Sequence, residues 1–279
     1  LEGAAILEPG IEYHDLGRTL TSGQTTDGVH PSPFGAEAIA LRLAGVIDPS
    51  PSTGIEPFGE YRFGRQITDP GEARGNDHHG FEQVEFFLPE TGASARLVRP
   101  RAVAPGTPWL WRMRFFGHEP ELERALLDRG FHLAYVDVAG LFGGPSAIER
   151  MEELYAALTD ELGFSHRPVL LGMSRGGLPA LAWAAKHPDW TAAVVGDNPV
   201  VDMRSWPGGS SGKRSDSDWI AALAAYGWSE DDAAAQGDYL LELASIPATA
   251  GVPLHLVLGM ADDVVPPAEN GLLLRDAWL

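Results

Sequence analysis

The stretch "RPVLLGMSRGGLPALAWAAKHP", residues 167–188, constrains this chain more than any other. A short apolar run meets Gly172-Met173-Ser174-Arg175-Gly176, and a helix-forming run follows. A serine at such a strand-to-helix turn projects its hydroxyl from the sheet edge, provided the residues two before and two after it are small. A side chain at either place would meet the neighbouring strand or helix. The same turn leaves a helix N-terminus and the N–H of Arg175 beside the hydroxyl. Such a serine is built to attack an acyl carbon and to stabilise the oxyanion that results.

The surrounding sequence supplies the sheet. "FEQVEFFL" (81–88) and "SARLVRP" (94–100) predict an antiparallel lead-in, and "WLWRMRFF" (109–116) a further strand. "EPELERALLDRG" (119–130) predicts a helix with acids in its first turn and Gly at its end. Strands follow at 131–138, 167–173, 191–197 and 253–259, with helices at 145–162 and 175–187 between them. Short, nearly uniform apolar strands alternating with helices predict an α/β fold, a mostly parallel sheet covered on both faces. The rhythm breaks over 198–248, where "SWPGGSSGKRSDSDW" precedes Ala-rich helical pieces carrying Trp219, Tyr226, Trp228 and Tyr239. This is a lid-like insertion above the sheet, or a surface excursion packed by its own aromatics.

A nucleophilic serine needs an acid and a base. "LHLVLGMADDVVPPAEN" places Asp262 and Asp263 in a loop after the last strand, where a carboxylate can turn inward to orient an imidazole. Asp262 is preferred to Asp263, with Asp197 and Asp202 in reserve. With "GMSRGG" and "GMADDVVP" in this order, residues 81–279 resemble the α/β-hydrolase family. The resemblance implies a second oxyanion N–H from the loop after "PWLWRMRFF", around Arg112 and Met113, although no "HGGG" stretch stands there. It also implies a histidine after the acid. None of the nine histidines fits, so the sequence places the base beyond residue 279 and the chain within something longer. Arg175, His118 and Trp206 are the expected substrate-binding residues.

The N-terminal region has its own pattern. In "TTDGVHPSPFGAEAIALRLAGVI", Asp27 and His30 precede a helix predicted from Pro33 to residue 47. This stretch resembles the C-terminal block of SGNH (GDSL-type) hydrolases, and the likeness implies that Asp27 and His30 are two members of a second triad. The organisation read from the sequence is therefore residues 1–50 as the remnant of an SGNH-like domain, 51–80 as a linker opening with "PSTGIEP", and 81–279 as the α/β-hydrolase domain.

Composition narrows the partners. A formal charge of −19 argues against nucleic acid or an acidic membrane surface. With no cysteine, disulfides, thiolate metal sites and a Cys nucleophile are excluded. "GNDHHGF" offers adjacent histidines without a third ligand at suitable spacing, so no metal and no cofactor are expected. The compartment stays open. The function expected is a serine hydrolase acting on carboxylic esters, including acyl or uronic esters of polysaccharides. Arg175 contributes to that expectation, because the elbow is similar to the Gly-x-Ser-Arg-x-Gly of glucuronoyl esterases. A serine peptidase on the same fold is the enzymatic alternative. A non-catalytic binding module on this scaffold is the other.

Overall fold

The computed structural model describes residues 4–8, 11–15, 36, 37, 39, 40, 43 and 77–279. Its centre is a ten-stranded sheet. The strands in chain order are β1 (Ala4–Glu8), β2 (Ile11–Asp15), β3 (Asp77–His78), β4 (Phe81–Phe87), β5 (Ser94–Val98) and β6 (Trp109–Arg112). They continue with β7 (His132–Val136), β8 (Val169–Met173), β9 (Ala193–Asp197) and β10 (Leu254–Leu258). Across the sheet the order is β1-β2-β10-β9-β8-β6-β7-β5-β4-β3. The pairs from β2 through β10, β9, β8 and β6 to β7 are parallel, whereas β5 joins β7 antiparallel and β4 joins β5 likewise. This is the α/β sheet with an antiparallel lead-in that the sequence predicts.

Burial follows position in that order. Every residue of β6, β7, β8, β9 and β10 is buried, as a parallel strand covered on both faces requires, while in β4 only Phe81 and Phe86 are buried. One face carries the larger core, in which Trp109, Trp111, Trp183 and Tyr155 pack against α2 (Pro145–Ala156) and α3 (Gly177–Lys186). The Trp109 and Trp111 rings lie 5.0 Å apart and those of Trp111 and Trp183 4.8 Å apart. On the other face, α1 (Glu121–Leu127) packs with Leu110, Leu133, Leu171, Val195 and Val257. His132 is fully buried at the start of β7, its ring 4.4 Å from that of Phe164. Burial pushes its pKa down to about 3, so the imidazole is neutral.

The structure departs from the sequence reading in two places. The strand predicted over 109–116 ends at Arg112. Positive φ at Phe115 (57°) and Gly117 (81°) turns the chain away, a conformation that apolar patterning does not reveal. The second concerns residues 1–50, read as part of another domain. Here β2 runs parallel along β10, with Leu254 opposite Ile11 and Leu258 opposite Asp15, and β1 pairs antiparallel with β2. Ala36, Ile39, Ala40 and Leu43 are helical, as the periodicity over 33–47 predicts, and buried in the same core as α1. The described part of this segment thus shares the sheet and core of the following region, covering an edge of β10 that would otherwise present unpaired backbone groups. Linker residues 51–76 lie outside the described residues. Among the described residues, no helix is long and apolar enough to cross a membrane.

Over 198–248 the chain forms α4 (Asp216–Tyr226), α5 (Glu230–Gln236), α6 (Tyr239–Glu242) and α7 (Ser245–Thr249). Its aromatics do pack on one another, with Tyr226 and Trp228 stacked at 4.5 Å. Yet Trp219, Leu240 and Ala244 are buried in the main core, and Tyr226 Oη donates to the Phe142 carbonyl at 2.8 Å. The insertion is built into the domain. The chain ends in α8 (Gly271–Trp278), anchored by Trp278 Nε1 donating to the Val252 carbonyl at 2.9 Å.

Candidate active site

Ser174 follows β8 directly, as the first residue of a short 3-10 turn leading into α3. Its φ of 49° is a left-handed conformation that non-glycine residues rarely adopt, and it is the strain expected of a nucleophile at a sharp elbow. The flanking glycines are required by close approach. A Cβ on Gly172 would lie 2.9 Å from the Gly176 carbonyl oxygen and from Gly177 Cα. One on Gly176 would lie 3.1 Å from Arg114 Cβ. The first clash is within the elbow and the second is with the turn after β6, so the two glycines are needed for different reasons.

Asp262 lies in the loop after β10, two strands from β8, about 10 Å at the usual inter-strand spacing. Its Oδ1 accepts the N–H groups of Val264 (2.8 Å) and Val265 (2.9 Å), which fixes the half-buried carboxylate and leaves the second oxygen to face a partner. Asp263 points away, exposed and paired with Lys213 at 3.0 Å. Asp202 is held by the Arg204 guanidinium at 2.7 Å, and Asp197 is buried at the end of β9.

The oxyanion donor expected at Met113 is engaged elsewhere: its N–H bonds to the Leu171 carbonyl at 3.0 Å, closing the β6–β8 ladder. Arg112 differs too, because its side chain is what reaches the site's framework. The guanidinium is 1% exposed and pairs with the buried Glu123 at 3.1 Å. The backbone nearest the elbow is one residue further on, with the Arg114 nitrogen 3.4 Å from a Cβ placed on Gly176.

Arg175 and Trp206 are brought together. The Arg175 guanidinium pairs with Asp218 of α4 and lies 5.5 Å from the Trp206 ring and 5.7 Å from that of Phe115. The insertion therefore reaches the residue after the nucleophile. Of the described histidines, only His118 lies in the turn beside the elbow, with its carbonyl accepting from Arg112 at 2.9 Å. His78 bonds to Glu123, His187 to Glu152, and His166 packs on Tyr155; His255 is buried within β10. Asp27 and His30 lie outside the described residues. No group of three or more metal-ligating side chains is present among the described residues.

Three buried residues that hold these loops escape sequence reasoning. Asn198 Oδ1 accepts the Gly259 N–H at 2.6 Å, tying the ends of β9 and β10 together. Asn270 Oδ1 accepts from Val201 N at 3.1 Å and its Nδ2 donates to Ser205 Oγ at 2.9 Å. Glu123 is the third; the only signal for it is an acid on a helix face that is otherwise apolar.

Residues 150–277, which contain both Ser174 and Asp262, match the model of the prolyl oligopeptidase family. No curated protein matches the chain. Among solved structures, a puromycin-hydrolyzing peptidase of Mycobacterium tuberculosis is similar with a TM-score of 0.54 at 20% identity, covering 73% of this chain and 34% of its own. Dipeptidyl peptidase 4 of Porphyromonas gingivalis gives 0.50 at 18% identity, covering 72% and 30%. A 2,6-dihydroxy-pseudo-oxynicotine hydrolase gives 0.52 at 18% identity, covering 71% and 57%. The chain spans about a third of the length of the two peptidases. From its sheet order, its serine elbow and these neighbours, the chain has the α/β-hydrolase fold.

Proposed function

We propose that this protein is a serine hydrolase whose Ser174 forms an acyl-enzyme, and that its first substrates are amides of short peptides or aminoacyl groups. The observation that carries the reading is the strained, glycine-flanked Ser174 across two strands from the fixed carboxylate of Asp262. Ser174 Oγ attacks the acyl carbon, its proton passes to a histidine base oriented by Asp262, and the amine leaves with that proton. Water then reverses the sequence to release the acid. The Arg175 N–H donates to the oxyanion.

The peptidase reading is supported by the family model over 150–277 and by the peptidases among the structural neighbours. Esters undergo the same acyl transfer with a better leaving group and form the second arm of the test. The polysaccharide-ester expectation rests on the Arg175 motif alone. Against it, that guanidinium already pairs with Asp218. A role for Asp27 and His30 in a second, SGNH-type centre rests on their sequence pattern alone; against it, the described part of that segment lies in the same sheet and core as the following region.

The test compares aminoacyl and dipeptidyl p-nitroanilides with p-nitrophenyl acetate, using the intact protein and Ser174→Ala. Anilide cleavage that Ser174→Ala lowers by about a thousandfold or more supports the reading. Ester cleavage alone, equally dependent on Ser174, moves the assignment to an esterase. Turnover indifferent to Ser174→Ala overturns it. His30→Ala is expected to leave the Ser174-dependent rate unchanged.

A further inference from the structure

We infer that Arg112 is a positioning residue for the oxyanion site, and that the N–H it positions is that of Phe115. The inference rests on Ser174 being the nucleophile. Arg112 is the last residue of β6, and its guanidinium is buried in one small volume with four hydrogen-bond acceptors and the Glu123 carboxylate. Nε donates to the Arg114 carbonyl at 2.6 Å. Nη2 donates to the carbonyls of Phe115 (3.1 Å) and His118 (2.9 Å) and contacts Met173 Sδ at 3.2 Å. Nη1 faces Glu123 Oε1 at 3.1 Å, and Glu123 Oε2 lies 3.3 Å from His78 Nε2. One planar fork thus grips three carbonyls of the turn at 114–118 and also the residue just before the nucleophile.

Peptide planarity converts that grip into a direction. In a trans peptide the carbonyl of one residue and the N–H of the next point to opposite sides. With the Arg114 carbonyl drawn inward to Arg112, the Phe115 N–H is turned outward, on the side of the turn that borders the elbow. The Arg114 backbone lies against Gly176, and the Phe115 ring is 5.7 Å from the Arg175 guanidinium. Among the described residues the Phe115 N–H bonds to no other group. Phe115 also carries φ of 57°, a strained state for an aromatic residue that persists only when its surroundings enforce it. Arg112 is that enforcement.

Energetics argue for positioning over plain stability. A buried ion pair is a poor stabiliser compared with apolar groups of the same volume, because two charges have lost their water. Glu123 is 0% exposed on the apolar face of α1 among Leu122, Leu126 and Leu127. What the pair supplies that leucines would not is a set of directed N–H groups at fixed places. Glu123 neutralises the guanidinium, and the guanidinium shapes the turn.

The experiment follows covalent labelling of Ser174 by a fluorophosphonate, which needs no knowledge of the substrate, and separates the maximal labelling rate from the probe's half-saturating concentration. Arg112→Lys keeps the charge and loses the fork. It is expected to fold, to lower the maximal rate about a hundredfold, and to leave half-saturation within about twofold. Should Arg112→Lys not fold, Glu123→Gln gives the same reading, with a smaller loss confined to the rate. A folded variant that labels at the original rate, or loses only probe binding, overturns the inference. Failure of the unaltered protein to label at Ser174 would instead remove the nucleophile on which the inference rests.

Discussion

Two turns meet at the candidate site, and they are shaped by opposite means. The elbow, Met173 to Gly177, is set by local sterics: with a Cβ at position 172, 2.9 Å from the Gly176 carbonyl oxygen and Gly177 Cα, it could not close. The turn after β6, Arg114 to His118, has one glycine and no comparable motif. Its form is imposed from beneath by a guanidinium whose counter-charge comes from α1. The acid loop is of the first kind, since Asp262 organises its own turn through Val264 and Val265. A locally determined turn is robust to distant substitution and intolerant of change within itself. The other kind fails from a distance.

The largest effect that sharpens this contrast is at the acid loop. Asp262→Asn retains an oxygen to accept both valine N–H groups but removes the charge. Turnover by Ser174 is expected to fall about 10³–10⁴-fold with the fold intact, while Asp263→Asn stays within about twofold. Equal losses for the two would show that the loop places the wrong carboxylate inward.

Next is Gly172→Val, which attacks the elbow from within. With its Cβ 2.9 Å from backbone atoms that cannot yield, the substitution is expected to cost about 2–4 kcal/mol in urea denaturation and to abolish labelling of Ser174. Wild-type stability in this variant would mean the elbow is not packed as described.

The smallest stability effect is expected where the second turn is attacked from afar. The double substitution Arg112→Met with Glu123→Leu replaces the buried pair by apolar groups, leaves His78 without its carboxylate partner and frees the carbonyls of Arg114, Phe115 and His118 from the guanidinium. Stability is expected to remain within about 2 kcal/mol of wild type, since buried pairs contribute little net. Activity is expected to drop as far as in Arg112→Lys. A variant both stable and fully active would break the comparison, because the second turn would then be self-supporting.

How much of this was legible in the sequence divides along the same line. The parallel strands announce themselves because a strand buried on both faces must be apolar throughout, and the elbow because only glycine fits a contact that close. The proposal of Asp262 comes from its place after the last strand. The end of β6 at Arg112 was not legible, because strand periodicity runs on through "MRFF" and nothing local marks positive φ at Phe115. Arg112 was singled out for its backbone, and the structure uses its side chain.

By itself, then, the sequence determined the α/β sheet and the glycine-flanked serine turn at its edge, both consequences of short-range sterics and periodic burial. The tertiary structure alone decided that Glu123 lies under Arg112, that Asp218 of the insertion reaches Arg175, and that β2 lies beside β10. Each of these joins residues distant in sequence, and such contacts are set by how packed elements come to lie against one another, which no local pattern encodes.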